Sequence, residues 1–212
     1  MQMFQEKTSN KKGATMIELM AMMAIVALGV GGMLGVIGSG VDFAKNTEDT
    51  IKAINLAREG IEGVISWRNT NWLRFSSDKT NCWRVLDYNS TCIGGTLTVV
   101  ASTGSYILYA ANGAWYLTGI TTPAYTADWN SYRNGYKTWI DSTGFYTQTG
   151  TAPTTMCSSL GQTGCLTPFN REIIVGEINT GTLSITSIVR WQGKRNREVT
   201  LTTNITNWKA KF

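Results

Sequence analysis

Four cysteines, one isolated glutamate and a cluster of aromatic and cationic residues are the places where this 212-residue sequence has the means to do chemistry. The cysteines fall in two local pairs, Cys82 with Cys92 and Cys157 with Cys165, with nine and seven residues between them. Histidine is absent. That removes the commonest general base, metal ligand and near-neutral pH switch, so Ser-His-Asp and Cys-His sites are impossible. A four-cysteine zinc site stays conceivable but normally uses pairs with about two to four intervening residues. Two short-range disulfides are the better reading, each stabilising the fold by roughly 2 to 3 kcal/mol in the chain-entropy model. Disulfides imply an oxidising compartment outside the cytoplasm. The glycine-rich stretch G-V-G-G-M-L-G, Gly29 to Gly35, fails the G-x-G-x-x-G spacing at Leu34 and follows no strand. No carboxylate pair stands out either, so no enzymatic role, cofactor or metal is expected.

The aromatic cluster lies between Tyr125 and Ile140, where Tyr125, Trp129, Tyr132, Tyr136 and Trp139 are interleaved with Arg133 and Lys137. Aromatic faces beside cations can stack the bases of single-stranded DNA or the rings of sugars. The same residues could simply pack a loop that lacks long aliphatic side chains. Lys194, Arg195 and Arg197 on a turn read as either a phosphate contact or a solvated hairpin. The formal charge of +5 is mild and does not by itself argue for nucleic acid.

Glu18 raises a different question, because it opens an apolar run. From Leu19 to Val41 there are 23 residues without a charge, long enough to cross the roughly 30 Å hydrocarbon core as a helix. A cleaved secretory signal has a shorter apolar core of about 7 to 15 residues. Lys11 and Lys12 precede the run, which places the side before it in the cytoplasm and translocates the rest. That orientation agrees with disulfides. A plain anchor leaves Glu18 unexplained: an acidic residue at the centre of a membrane helix costs on the order of 3 kcal/mol, less near an end, and usually has a partner. The bland alternative is that Glu18 snorkels to the headgroups.

Lys11-Lys12-Gly13 followed by Ala14-Thr15-Met16-Ile17-Glu18-Leu19 and the apolar run resembles the class III signal of type IV pilins and type II secretion pseudopilins. The resemblance implies a leader of residues 1–13, cut by a prepilin peptidase between Gly13 and Ala14, with methylation of the new N-terminus. Ala14 departs from the phenylalanine or methionine usual there. The resemblance makes Glu18 the assembly residue, its carboxylate pairing with the terminal amine of a neighbouring subunit. The implied partners are other pilin subunits, the prepilin peptidase and the inner-membrane assembly machinery. The implied location is the inner membrane, then an extracellular pilus or periplasmic pseudopilus. Many pilins carry a helix-breaking proline in this segment; here Gly29, Gly31, Gly32, Gly35, Gly38 and Gly40 are expected to serve instead. The match is closest to a minor pilin. A secretion pseudopilin, or a pilus-tip module binding DNA or a surface, are the alternatives, with no acidic calcium loop in favour of the former.

Positioning these residues requires few elements. Beyond Val41, Phe43, Thr47, Ile51, Ile54, Ala57 or Arg58, Ile61 and Val64 or Ile65 recur at three- and four-residue steps, one stripe of an amphipathic helix. A single helix is predicted from Ala14 to about Trp67, about 54 residues or roughly 80 Å. Its half at 14–41 would lie in lipid or filament core, and its half at 42–68 would pack on a β-rich head, 69–212. Asn69 to Gly95 reads as an irregular connection. Strands are predicted at Thr96 to Ser102, Ser105 to Ala111, Ala114 to Thr118 and Tyr136 to Ile140, with Asn112-Gly113 as a hairpin turn. Asn170 to Ile178, Leu183 to Trp191 and Arg197 to Thr203 predict an antiparallel meander. Asn55 to Trp72 and Ser187 to Thr203 resemble the matching parts of minor pilins and pseudopilins. The expected class is α+β: a long helix packed on an antiparallel sheet, pilin-like.

Overall fold

The computed structural model describes residues 15–95, 100–120, 129–159, 161–193 and 196–211. The expected leader with Lys11, Lys12 and Gly13, the new terminus at Ala14, and Tyr125, Lys194 and Arg195 lie outside the described residues. Helix α1 (Met16–Arg74) contributes its first part to one compact unit, which ends at Glu48, and its remainder to a second, Asp49–Phe212.

In the second unit the end of α1 packs on a seven-stranded antiparallel sheet: β1 (Gly104–Ala111), β2 (Ala114–Gly119), β3 (Lys137–Ile140), β4 (Tyr146–Thr147), β5 (Cys165–Asn179), β6 (Thr182–Gln192) and β7 (Asn196–Thr206). This is the expected α+β class. The meander β5–β6–β7 keeps Val175 opposite Ile185 and Ile185 opposite Thr203. The other edge of β5 is shared: β3 pairs along Cys165 to Asn170, and β1 along Ile173 to Val175. Gln148 fills the break between them, its Nε2 donating to the carbonyls of Tyr136 and Arg171 at 3.0 and 2.7 Å. The β1–β2 turn has Asn112 and Gly113 at φ of 49° and 73°, the paired positive values a two-residue hairpin demands.

The helix runs further than predicted, to Arg74 instead of about Trp67. Asn69 to Trp72 looked like loop because it is polar, but its side-chain donors find partners: Asn71 Nδ2 donates to the carbonyls of Trp83 and Val85 at 3.2 and 2.9 Å, and Thr70 Oγ1 to that of Ser66. The expected irregular connection also contains α2 (Lys79–Cys82) and a kinked 3-10 segment, Ser90–Gly95.

The buried face of α1 keeps Ala57 and Val64 of the predicted stripe, with Ile54 and Ile61 partly buried at its margin, but leaves out its first residues. Phe43 and Ile51 are exposed, and the residues that meet the sheet are Ala53, Leu56, Ala57, Gly60, Gly63, Val64 and Trp67. Small residues decide this, because they let backbone and sheet come close. A Cβ on Gly60 would sit 2.3 Å from Ser187 Oγ, and one on Gly63 2.6 Å from Leu108 Cδ2. Opposite them, Phe169, Ile173 and Val175 on β5 and Leu183, Ile185, Val189 and Trp191 on β6 alternate toward the helix.

Candidate functional site

The first candidate surface is the apolar part of α1. An 18-residue window reaches a mean hydropathy of 2.3 with none of it buried, so by length and composition the helix suffices to cross a membrane. Its large side chains stand free, Leu28 at 78 % exposure for example. Gly29, Gly31, Gly32, Gly35, Gly38 and Gly40 have nothing within 4 Å of a Cβ position, and α1 continues through all of them. Glu18 sits in the first turn, where a carboxylate faces the positive end of the helix dipole, and its backbone N–H donates to the Thr15 carbonyl at 2.9 Å.

The second candidate, the aromatic cluster, is not a surface. Tyr132, Tyr136 and Trp139 are 0, 1 and 6 % exposed, so they cannot stack a base or a sugar. The segment forms helix α3 (Trp129–Tyr136) and then β3, which corrects the predicted strand from Tyr136. The physical reason is a buried charge cluster that the helix covers. On β5, Arg171 and Glu172 alternate to opposite faces, and Glu172 lies under Tyr132. Tyr132 donates its hydroxyl hydrogen to Glu172 Oε2 at 3.1 Å and accepts from Arg190 Nη1 at 2.6 Å. Arg190 also bonds Glu172 at 2.8 Å and Glu198 at 3.0 Å, and Ser105 Oγ donates to the other Glu172 oxygen at 2.8 Å. Trp129 stacks on Tyr132, ring centres 5.8 Å apart, and its Nε1 donates to Gln192. Arg133 reaches the Met156 sulfur at 3.9 Å, and Lys137 is held in the ladder opposite Asn170.

Burial, reinforced by the Glu172 charge, pushes the Tyr132 hydroxyl well above the ordinary tyrosine range; burial raises Tyr136 as well. Every partner in this cluster is satisfied from within the chain, so it locks α3 to the sheet. Sequence reasoning missed Glu172, Arg190 and Ser105. The available signal was a pair of opposite charges, Glu172 on β5 and Arg190 on β6, on the sheet face turned away from α1, which reads as solvent-facing until α3 is known to cover it.

The cysteines are consumed structurally: Cys82–Cys92 and Cys157–Cys165 are disulfides, with Cα atoms 5.3 and 5.0 Å apart. Among the described residues no group of three or more His, Cys, Asp or Glu side chains is placed to hold a metal ion. The fold and its surfaces thus define an α+β protein with a long, bare apolar helix. Comparison with known proteins finds no match for it among family models, curated proteins or solved structures.

Proposed function

We propose that this protein is a type IV pilin-like subunit, most like a minor pilin, that is inserted in the inner membrane, trimmed between Gly13 and Ala14, and built into a filament through α1. The observation that carries the reading is the run Lys11-Lys12-Gly13-Ala14 with Glu18 ahead of a long apolar helix. The bare apolar surface supports it, since exposed apolar area of this extent calls for lipid or protein cover. The side before the helix is cytoplasmic and the head is on the oxidising side, where both disulfides are stable.

In this mechanism no covalent chemistry belongs to the mature chain. After cleavage, the Glu18 carboxylate meets the cationic terminal amine of a neighbouring subunit within the bundle. Either charge alone is costly in a low-dielectric environment, so the pair selects register and recruits subunits without being a large net stabiliser. The bare glycine stripe lets neighbouring helices approach closely.

Mass spectrometry of the mature protein tests the reading: a chain beginning at methylated Ala14 is expected, and any other terminus overturns it. In cells, Glu18→Ala is expected to leave processing intact while reducing incorporation into filaments at least several-fold.

A further inference from the structure

Outside the surfaces described above, cations and aromatic rings gather at the C-terminal end of α1. Trp72 Nε1 donates to Asn207 Oδ1 at 2.8 Å, and Asn207 Nδ2 donates to the Lys79 carbonyl at 3.0 Å. Asn207 thus ties the last turns of α1, the short α2 and the 3-10 segment Trp208–Lys211 together. The tie sets Trp208 edge-on to Trp72, ring centres 5.5 Å apart. The Arg68 guanidinium lies 4.4 Å from the centre of the Trp72 ring, and the Lys209 ammonium 5.1 Å from Trp72 and 5.3 Å from Trp208. Arg74, two residues beyond Trp72 and so on the opposite side of α1, lies 4.4 Å from the Tyr88 ring and stands outside this group.

These cations have rings and neutral oxygens for partners instead of carboxylates. Arg68 spends donors on Asn69 Oδ1 and the Thr206 carbonyl, and among the described residues no ion pair engages Arg68 or Lys209. A ring face attracts a cation without neutralising it. The side chains are therefore held in place while their charge stays available, and partial burial makes an arriving anion more valuable to Arg68. Beside them Trp208 is 54 % exposed and Leu73 77 %.

We propose that this end of the protein binds single-stranded nucleic acid, with backbone phosphates on Arg68 and Lys209 and an unpaired base stacked on Trp208. An acidic peptide would satisfy the cations and leave the indole uncovered. A duplex keeps its bases inside the stack, out of reach of Trp208. A flexible strand supplies anions and flat rings together, and stacking of bases on aromatic side chains beside cations is how such strands are held without sequence preference. The proposal rests on the second unit alone and stands whether or not the filament reading holds.

The test is fluorescence anisotropy of the full chain in nonionic detergent with a labelled oligothymidylate of about 20 nucleotides, longer than a typical single-site footprint. Saturable binding is expected, with log affinity falling against log salt at a slope of about −1.4, from two phosphate contacts at roughly 0.7 each. Trp208→Ala is expected to weaken binding by roughly tenfold, the effect of losing one stacked base, and Lys209→Glu by at least as much. Arg133→Gln, outside the site, is expected to change nothing. Trp208 and Lys209 are at the surface, so an unchanged unfolding midpoint confirms that both variants fold. No saturable binding at low salt, or equal affinity in both variants, overturns the proposal. If Lys209→Glu weakens binding and Trp208→Ala does not, or if heparin binds with the same dependence on Trp208, the site is a general polyanion patch and the single-strand assignment is wrong.

Discussion

Arg171 and Glu172 are neighbours in sequence and, on a strand, face opposite ways. Each is buried, and each is satisfied by a different set of elements. The Arg171 guanidinium, with no exposed side-chain surface, pairs with Glu59 of α1 at 2.9 Å, and its remaining donors reach Gln148 Oε1 at 3.1 Å and the Leu108 carbonyl at 2.9 Å. Burying a charge without such partners costs several kcal/mol on the order of magnitude of a whole domain's net stability. Glu172 performs the same role on the other face and there makes Tyr132 hard to ionise. The consequence is a pH dependence of known sign. Unfolded tyrosine ionises near pH 10, whereas burial holds the Tyr88 hydroxyl up to about 12 and raises Tyr132 too. Above about pH 10 the unfolded chain therefore holds fewer protons than the folded one, and stability falls as pH rises. The contribution is complete below pH 10 and is lost toward the raised folded values. Thermal midpoints measured from about pH 9 to 11.5 should decline, and Tyr132→Phe should make that decline shallower; a flat profile in the parent chain contradicts the buried assignment.

At the scale of elements, the seam between α1 and the sheet depends on two glycines that helix propensity alone would disfavour. In a free helix, alanine in place of glycine gains about 1 kcal/mol. At Gly60 the added methyl would lie 2.3 Å from Ser187 Oγ, 3.1 Å from Ile173 Cδ1 and 3.2 Å from Ser187 Cβ. Overpacking of that kind costs roughly 1 to 3 kcal/mol, so Gly60→Ala should lower the urea midpoint despite its better propensity. Gly31→Ala, with nothing within 4 Å, should leave the sheet-bearing unit unchanged; a Gly60→Ala midpoint at or above the parent's would refute the close packing. The same seam shows why the amphipathic stripe was misread in part. Apolar side chains such as Ile51 and Ile54 mark a helix, but the face that meets the sheet is the one where Gly60 and Gly63 permit close approach beside Leu56, Val64 and Trp67. The meander was legible because apolar residues recur at every second position, Phe169, Ile173 and Val175 on β5 and Leu183, Ile185, Val189 and Trp191 on β6, with Arg171 and Ser187 as the interruptions. Helix α3 was not, since eight residues with a glycine and one cation carry too little periodicity to outweigh the aromatic content of the segment.

For the whole molecule, the two disulfides close loops of similar length, spanning 10 and 8 positions. Chain entropy therefore stabilises them nearly equally, and packing separates them. Cys82 and Cys92 are buried in one cluster with Phe75 and Val85, while Cys157 is partly exposed. Replacing Cys82 and Cys92 together by alanine should cost roughly 2 to 5 kcal/mol, and replacing Cys157 and Cys165 less, read as denaturant midpoints under oxidising conditions; the reverse order would show that the first cluster is not a core. By itself the sequence determined the features that are local: a helix long and apolar enough to span a membrane, a carboxylate at its first turn, cysteines close enough to join, an Asn-Gly hairpin and an alternating meander. Each is written in a window of a few turns, because periodicity, spacing and turn chemistry act between near neighbours. Only the tertiary structure decided that Tyr132, Tyr136 and Trp139 are interior, that Gly60 and Gly63 face the sheet, and that Arg68 and Trp72 stand beside Trp208 and Lys209. Those outcomes depend on contacts between residues from 40 to 138 positions apart, where burial and charge satisfaction across elements outweigh what any short stretch prefers.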